Sequence, residues 1–233
     1  MEMAGKMSVF GSCVLRNVRQ DADNRVYKVN DNLGFGTVAA KAGLTVEDFS
    51  RLGCPVTRAW DYIQKMFPRI DGDLVFMDFG ARDSVPDLEA VSKYPLEKHG
   101  PVTDLEEFLS VYDRIIDYTM ERRRMPVLAT LVPVDANTYI DYMCRTRGLN
   151  RDNIMRWLGN GYSRIGDSVR LYSDAVRELA FRREVPLIDI RQAFMEQGRK
   201  TDLLGPDGIR PNAAGRQVIH GCFERFVFDY LTF

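Results

Sequence analysis

Short apolar runs alternate along the chain with longer segments in which apolar residues return every three to four positions. The runs at 7–11, 74–79, 126–131 and 186–190 are nearly continuous, as strands covered on both faces are. A weaker run at 26–30 reads as an edge strand, followed by a glycine-bearing turn, Asn32-Leu33-Gly34-Phe35-Gly36. Helical spacing is expected over 46–52, 61–67, 135–157, 167–183, 190–197 and 212–230. Thr103-Asp104-Leu105-Glu106 has the form of a capping box opening a helix to about residue 123. Residues 82–101 hold prolines and no periodicity, and read as a long surface loop. This β-α alternation predicts an α/β fold, a three-layer α/β/α sandwich on a five-stranded parallel sheet, flavodoxin-like in its layering. No internal repeat, low-complexity segment or linker divides residues 1–233, so one domain is expected, with a helical insert at about 135–165.

Composition narrows the partners. Lysine and arginine total 32 against 33 aspartates and glutamates, which gives no electrostatic reason to expect nucleic acid or an acidic membrane. No signal-like apolar run and no membrane-length apolar stretch occurs, so a cytoplasmic protein with reduced thiols is expected. The cysteines are widely spaced and none stands at metal-ligand spacing from a histidine. Neither zinc nor any other cofactor is expected, and a small-molecule or protein partner is.

In an open parallel sheet a ligand binds beyond the carboxyl ends of the strands, so the residues following each run are the candidates. The places to inspect are Val9-Phe10-Gly11-Ser12-Cys13-Val14, Met77-Asp78-Phe79-Gly80-Ala81-Arg82-Asp83 at the end of the 74–79 run, and a rigid turn before the last helix, Leu204-Gly205-Pro206-Asp207-Gly208-Ile209-Arg210-Pro211-Asn212. Within them stand Gly11-Ser12-Cys13, Gly80-Ala81-Arg82-Asp83 and Asp207-Gly208-Ile209-Arg210-Pro211-Asn212. In this order, with Gly34 between the first two, these blocks resemble the SGNH (GDSL-type) esterase superfamily. The resemblance implies a nucleophile block at Gly11-Ser12-Cys13, an oxyanion glycine at Gly34, a further oxyanion block at Gly80 to Asp83, and an acid-base block at Asp207 to Arg210.

Several letters depart from that family. Cys13 stands at the serine position, Arg82 at the oxyanion asparagine and Arg210 at the general-base histidine. Arginine stays protonated and cannot relay a proton. Losing the histidine of a serine-hydrolase triad costs up to about a millionfold, and losing an oxyanion donor about a hundred- to a thousandfold. A cysteine thiolate can attack without a base, and an adjacent arginine or helix N-terminus lowers the thiol pKa. One reading therefore makes Cys13 a nucleophile stabilised by Arg210, with Asp207 orienting Arg210, while Gly34 N–H and Arg82 hold the oxyanion. Ser12 and Asp83 join Gly34 and Arg82 on the substrate-binding side. The substrate implied is a small acyl ester or an acetylated carbohydrate.

The rival reading is an inactive descendant that binds an anionic ligand or a protein at Arg82, Arg210 and Asp207. There Cys13 is a small buried residue, and the arginines form salt bridges with Asp83 or Asp207. His99, on the 82–101 loop, is either a replacement base or a plain loop histidine. His220 belongs to the packing of the closing helix. Tyr139, Tyr142, Trp157 and Tyr162 either wall a pocket or belong to the core. Gly166-Asp167-Ser168 spells the family motif but follows no strand, and is expected only to cap a helix.

Overall fold

The computed structural model describes residues 5–11, 18–20, 26–28, 35–41, 43–159 and 161–231. Its main sheet consists of β1 (Lys6–Gly11), β4 (Thr45–Asp48), β5 (Leu74–Asp78), β6 (Met125–Ala129) and β7 (Leu187–Ile188), in the order β4-β1-β5-β6-β7. Every neighbouring pair is parallel. Two short strands, β2 (Val18–Gln20) and β3 (Val26–Lys28), pair antiparallel as a separate hairpin.

Side-chain alternation divides the sheet residues between two cores. Met7, Val9, Leu74, Phe76, Val127 and Ala129 face one layer, where Ala39 of α1 (Phe35–Lys41), Phe194 of α8 (Ile190–Glu196) and Phe223 of α9 (Ala213–Leu231) pack. Phe10, Val75, Met77 and Leu128 face the other layer. That layer is built from α2 (Val56–Met66), α3 (Leu88–Lys93), α4 (Leu105–Glu121), α5 (Ala136–Arg147), α6 (Arg151–Leu158) and α7 (Ser163–Arg182). With both faces covered, strands can be apolar at nearly every position, which is why the runs in the sequence are continuous.

The three-layer architecture stands as read from the sequence, with local corrections. The run near residue 26 pairs in the small hairpin and not at the edge of the main sheet. The edge strand beside β1 is β4, which overlaps the segment 46–52 expected to be helical; there Lys6 to Val9 of β1 pair with Thr45 to Asp48. The expected turn around Phe35 begins helix α1. The 82–101 loop contains helix α3, whose first turn is capped by Asp87 accepting from the N–H groups of Glu89 and Ala90.

The capping box before α4 is not formed. Thr103 Oγ1 instead donates to Asp83 at 2.8 Å, and Asp104 takes the N-cap position without a side-chain bond. The helical insert is broken at Gly148, which adopts φ 65° between α5 and α6. Helix α7 starts at Ser163, so Asp167 and Ser168 lie inside it rather than capping it; Ser168 Oγ donates to the Ser84 carbonyl at 2.6 Å.

Candidate active site

The chain crosses from one half of the sheet to the other at β1 and β5, and the carboxyl ends of these strands are Gly11 and Asp78. They face each other in register. Gly11 has φ +147°, and a Cβ there would lie 2.6 Å from the Asp78 carbonyl oxygen, so only glycine allows this approach. Asp78 is buried and lines a small cavity of about 80 Å³ with Ala81, Leu131, Tyr139 and Ile209.

The turn before α9 closes one side of this cavity. Asp207 is fully buried, and its Oδ1 accepts the N–H groups of Ile209 at 3.1 Å and Arg210 at 2.9 Å. Its other carboxylate oxygen is paired with the Arg210 guanidinium. A short Asx-type turn thus fixes both the backbone and the side chain of Arg210 through one carboxylate. Gly208, at φ +69°, lets the turn lie against the start of α5: Asp135 N–H donates to the Gly208 carbonyl at 2.8 Å. A Cβ on Gly208 would be 2.6 Å from the Asp135 carbonyl oxygen.

Tyr139, in the first turns of α5, connects the expected residues. Burial pushes its phenol above the ordinary range, while the charges of Arg82, Arg147 and Arg210 pull it back. Arg82 and Arg210, far apart in the sequence, therefore act on one side chain. No carboxylate among the described residues forms a salt bridge with Arg82, so the expected Arg82–Asp83 pair is not made, whereas the Asp207–Arg210 pair is.

Asp83 is turned inward. It is fully buried, and Oδ1 accepts from the Val56 N–H at 2.9 Å as well as from Thr103, which ties the N-terminus of α2 to the loop after β5. Oδ2 has no hydrogen-bond partner among the described residues. Burial raises the Asp83 pKa, against the lowering effect of the bonds from Val56 and Thr103.

His99 shares none of these contacts. Its Nε2 lies 2.7 Å from the Tyr94 carbonyl and its ring meets Trp157 edge-on, with centroids 6.2 Å apart. Ser12, Cys13 and Gly34 lie outside the described residues. The other cysteines, Cys54, Cys144 and Cys222, have thiols pushed up by burial, the opposite of nucleophilic activation. Among the described residues no group of three or more His, Cys, Asp or Glu side chains could hold a metal ion, and no helix is long and apolar enough to cross a membrane.

Two features lie within segments singled out from the sequence but receive no role there. Asp78 is visible at the end of a strand, but nothing local marks it as part of a cavity floor. Tyr139 is visible only as one of several aromatics in a helical segment; the signal that would single it out is its place one turn after the Asp135 N-cap, on which the Gly208 turn rests.

A parallel sheet in this order, with its crevice at the switch between β1 and β5 and an aspartate turn before the closing helix, belongs to the doubly wound three-layer α/β class. The chain belongs to the GDSL-like lipase/acylhydrolase family, whose model matches residues 25–218. That span includes the Gly80 and Asp207 blocks and begins after Cys13. The fold is shared with a lipase/acylhydrolase from Enterococcus faecalis at a TM-score of 0.66 and 17% identity, covering 98% of this chain and 97% of that one. It is also shared with the acetyl xylan esterase AlAXEase, at 0.63 and 16%, covering 95% and 99%. A third neighbour is a mutant of Axe2, an acetyl-xylooligosaccharide esterase from Geobacillus Stearmophilus, at 0.62 and 16%, covering 97% and 95%. No curated protein matches the chain.

Proposed function

We propose that the protein is an acyl-ester hydrolase or acyltransferase for small esters or acetylated carbohydrates, with Cys13 as its nucleophile. The observation that carries this reading is the Asp207–Arg210 pair, a buried carboxylate holding a permanent cation where the family keeps its base. A fixed cation there serves a thiolate, which needs charge stabilisation and no proton acceptor. Acetyl esterases among the structural neighbours support the substrate class.

The Cys13 thiolate attacks the acyl carbon, and the carbonyl oxygen becomes an oxyanion bound by the Gly34 N–H and the Arg82 guanidinium. The bond to the alcohol oxygen then breaks. The alkoxide takes its proton from water, because Arg210 gives none up. Water, or a second alcohol in the transferase case, cleaves the thioester and regenerates the thiolate. Asp207 is a positioning residue in this scheme, Ser12 belongs to the frame around the bound acyl group, and Asp83, turned inward, supports that frame through Val56 and Thr103.

A second reading is favoured by the same pair: with no proton acceptor at residue 210, the crevice binds an anionic ligand or a protein partner without turning it over. Hydrolysis of p-nitrophenyl acetate and acetylated xylose by the wild type, Cys13→Ala and Cys13→Ser separates the two. Activity lost in Cys13→Ala supports the cysteine hydrolase. Full activity in Cys13→Ala refutes it, and inactivity of the wild type on every ester favours the binder.

A further inference from the structure

A larger pocket of about 640 Å³ lies beside the crevice and shares the walls Pro133 and Val134 with the Asp78 cavity. It is framed by the start of α7, by α8 and by the segment after α8, and Arg170, Arg191 and Arg199 line it. The carboxylates around Arg191 are engaged elsewhere. Asp189 Oδ2 accepts from Arg177 Nε at 2.9 Å and Nη2 at 2.7 Å, and its Oδ1 accepts from Thr130 and from the Gln192 N–H. Asp174 meets Arg177 at 3.4 Å.

Arg191 is thereby left with Nη1 buried and without a hydrogen-bond partner among the described residues. Burial lowers its pKa, and the pull of Asp174 and Asp189 does not make up for it. Arg191 itself is only part-buried and lines the pocket, and a partly desolvated guanidinium short of acceptors is stabilised by an anion beside it. The acids of the pocket lining do not supply one: Asp135 Oδ1 caps α5 through the Thr138 N–H, and Asp167 forms a loose exposed pair with Arg170 at 3.5 Å.

We propose that this pocket binds the anionic group of a small ligand, a carboxylate or a phosphate, on Arg191 with Arg170 and Arg199 at its rim. Guanidinium forks suit either oxyanion, and the shared walls place the bound group next to the crevice floor. The site stands independently of whether the crevice turns over esters.

Isothermal titration with inorganic phosphate, and separately with citrate, in chloride of matched ionic strength and without any ester, tests it. Saturable binding of at least one is expected, and which one binds tells phosphate from carboxylate recognition. Arg191→Met should weaken binding by about tenfold or more, the effect of one charge-assisted hydrogen bond. Arg199→Ala, at an exposed position where folding is not at stake, should weaken it several-fold, and Arg182→Ala, exposed elsewhere, should leave it unchanged. Absence of saturable binding of both anions, or wild-type affinity in Arg199→Ala together with a folded Arg191→Met, overturns the proposal.

Discussion

Asp207 accepts the backbone N–H of Arg210 at 2.9 Å while its other oxygen holds the same residue's guanidinium. One buried carboxylate therefore carries both the turn and the cation. Asp207→Ala should cost about 2–3 kcal/mol of stability, since it strips the acceptor from two N–H groups and removes the carboxylate paired with a largely enclosed guanidinium. Asp207→Asn keeps an acceptor for the turn and should cost less. Urea unfolding of the two variants checks the order.

Arg210→His places a proton acceptor in a turn whose aspartate already addresses residue 210 from below. Under the cysteine-hydrolase reading, ester hydrolysis should rise by about a hundredfold or more, the usual scale of general base and acid assistance. The variant's kcat/KM should acquire a histidine-like dependence on pH that the wild type lacks. A steady-state pH profile with p-nitrophenyl acetate measures both.

Without a proton donor at residue 210, the alcohol must leave as an anion. Hydrolysis by the wild type should therefore fall steeply from p-nitrophenyl to phenyl to ethyl acetate, and Arg210→His should flatten that series. A plot of log kcat against leaving-group acidity reads the slope directly.

Gly208→Ala is expected to damage structure and activity together. The residue sits at φ +69° with the Asp135 carbonyl in the space of a side chain, so strain and displacement should cost about 1–3 kcal/mol or more. Gly148→Ala, at φ +65° but with open space around it, should cost only the conformational part, about 1 kcal/mol. Thermal denaturation of the pair separates contact from conformation.

Asp83 is held protonated more readily in the folded chain than in the unfolded one, because burial raises its pKa from 3.8. The folded state thus binds the extra proton, and the stability linked to this group is present at low pH and lost as pH rises from the unfolded value through the folded one. Asp83→Asn keeps an acceptor for Val56 and Thr103 and removes that titration. The fall in stability across this window should be smaller in Asp83→Asn than in the wild type, as measured by urea midpoints at successive pH values.

The sheet is legible where its strands are central. The runs that form β1, β5 and β6 are apolar on consecutive residues because helices cover both faces, and no helix of that length would need such a run. β4 is hidden for the converse reason. Val46, Phe49 and Leu52 recur every third position and imitate a helical face, yet Val46 belongs to an edge strand while Phe49 and Leu52 follow it, and Phe49 N–H donates to the Val9 carbonyl in the sheet.

Asp207 and Arg210 can be read from the sequence because their pairing is local, three residues apart within one turn. The role of Asp83 cannot. Its partners, the Val56 N–H and Thr103, are 27 and 20 residues away, and only the folded chain brings a helix terminus to the loop after β5. Thr103 misleads for the same reason: a hydroxyl that suits a local cap is taken by a distant carboxylate.

The register of β1 on β5 joins Met7 to Leu74 and Gly11 to Asp78. The two strands that form the crevice floor thus have β2, β3, α1, β4 and α2 between them in the chain. A chain emerging from the ribosome cannot pair them until Asp78 has cleared the exit, and closing so long a loop delays the reward of the pairing. Until then, β1 presents an apolar strand with only the edge strand β4 available beside it. Nascent chains truncated before Leu74 should accordingly depend on chaperones, and those extending past Ala129 much less.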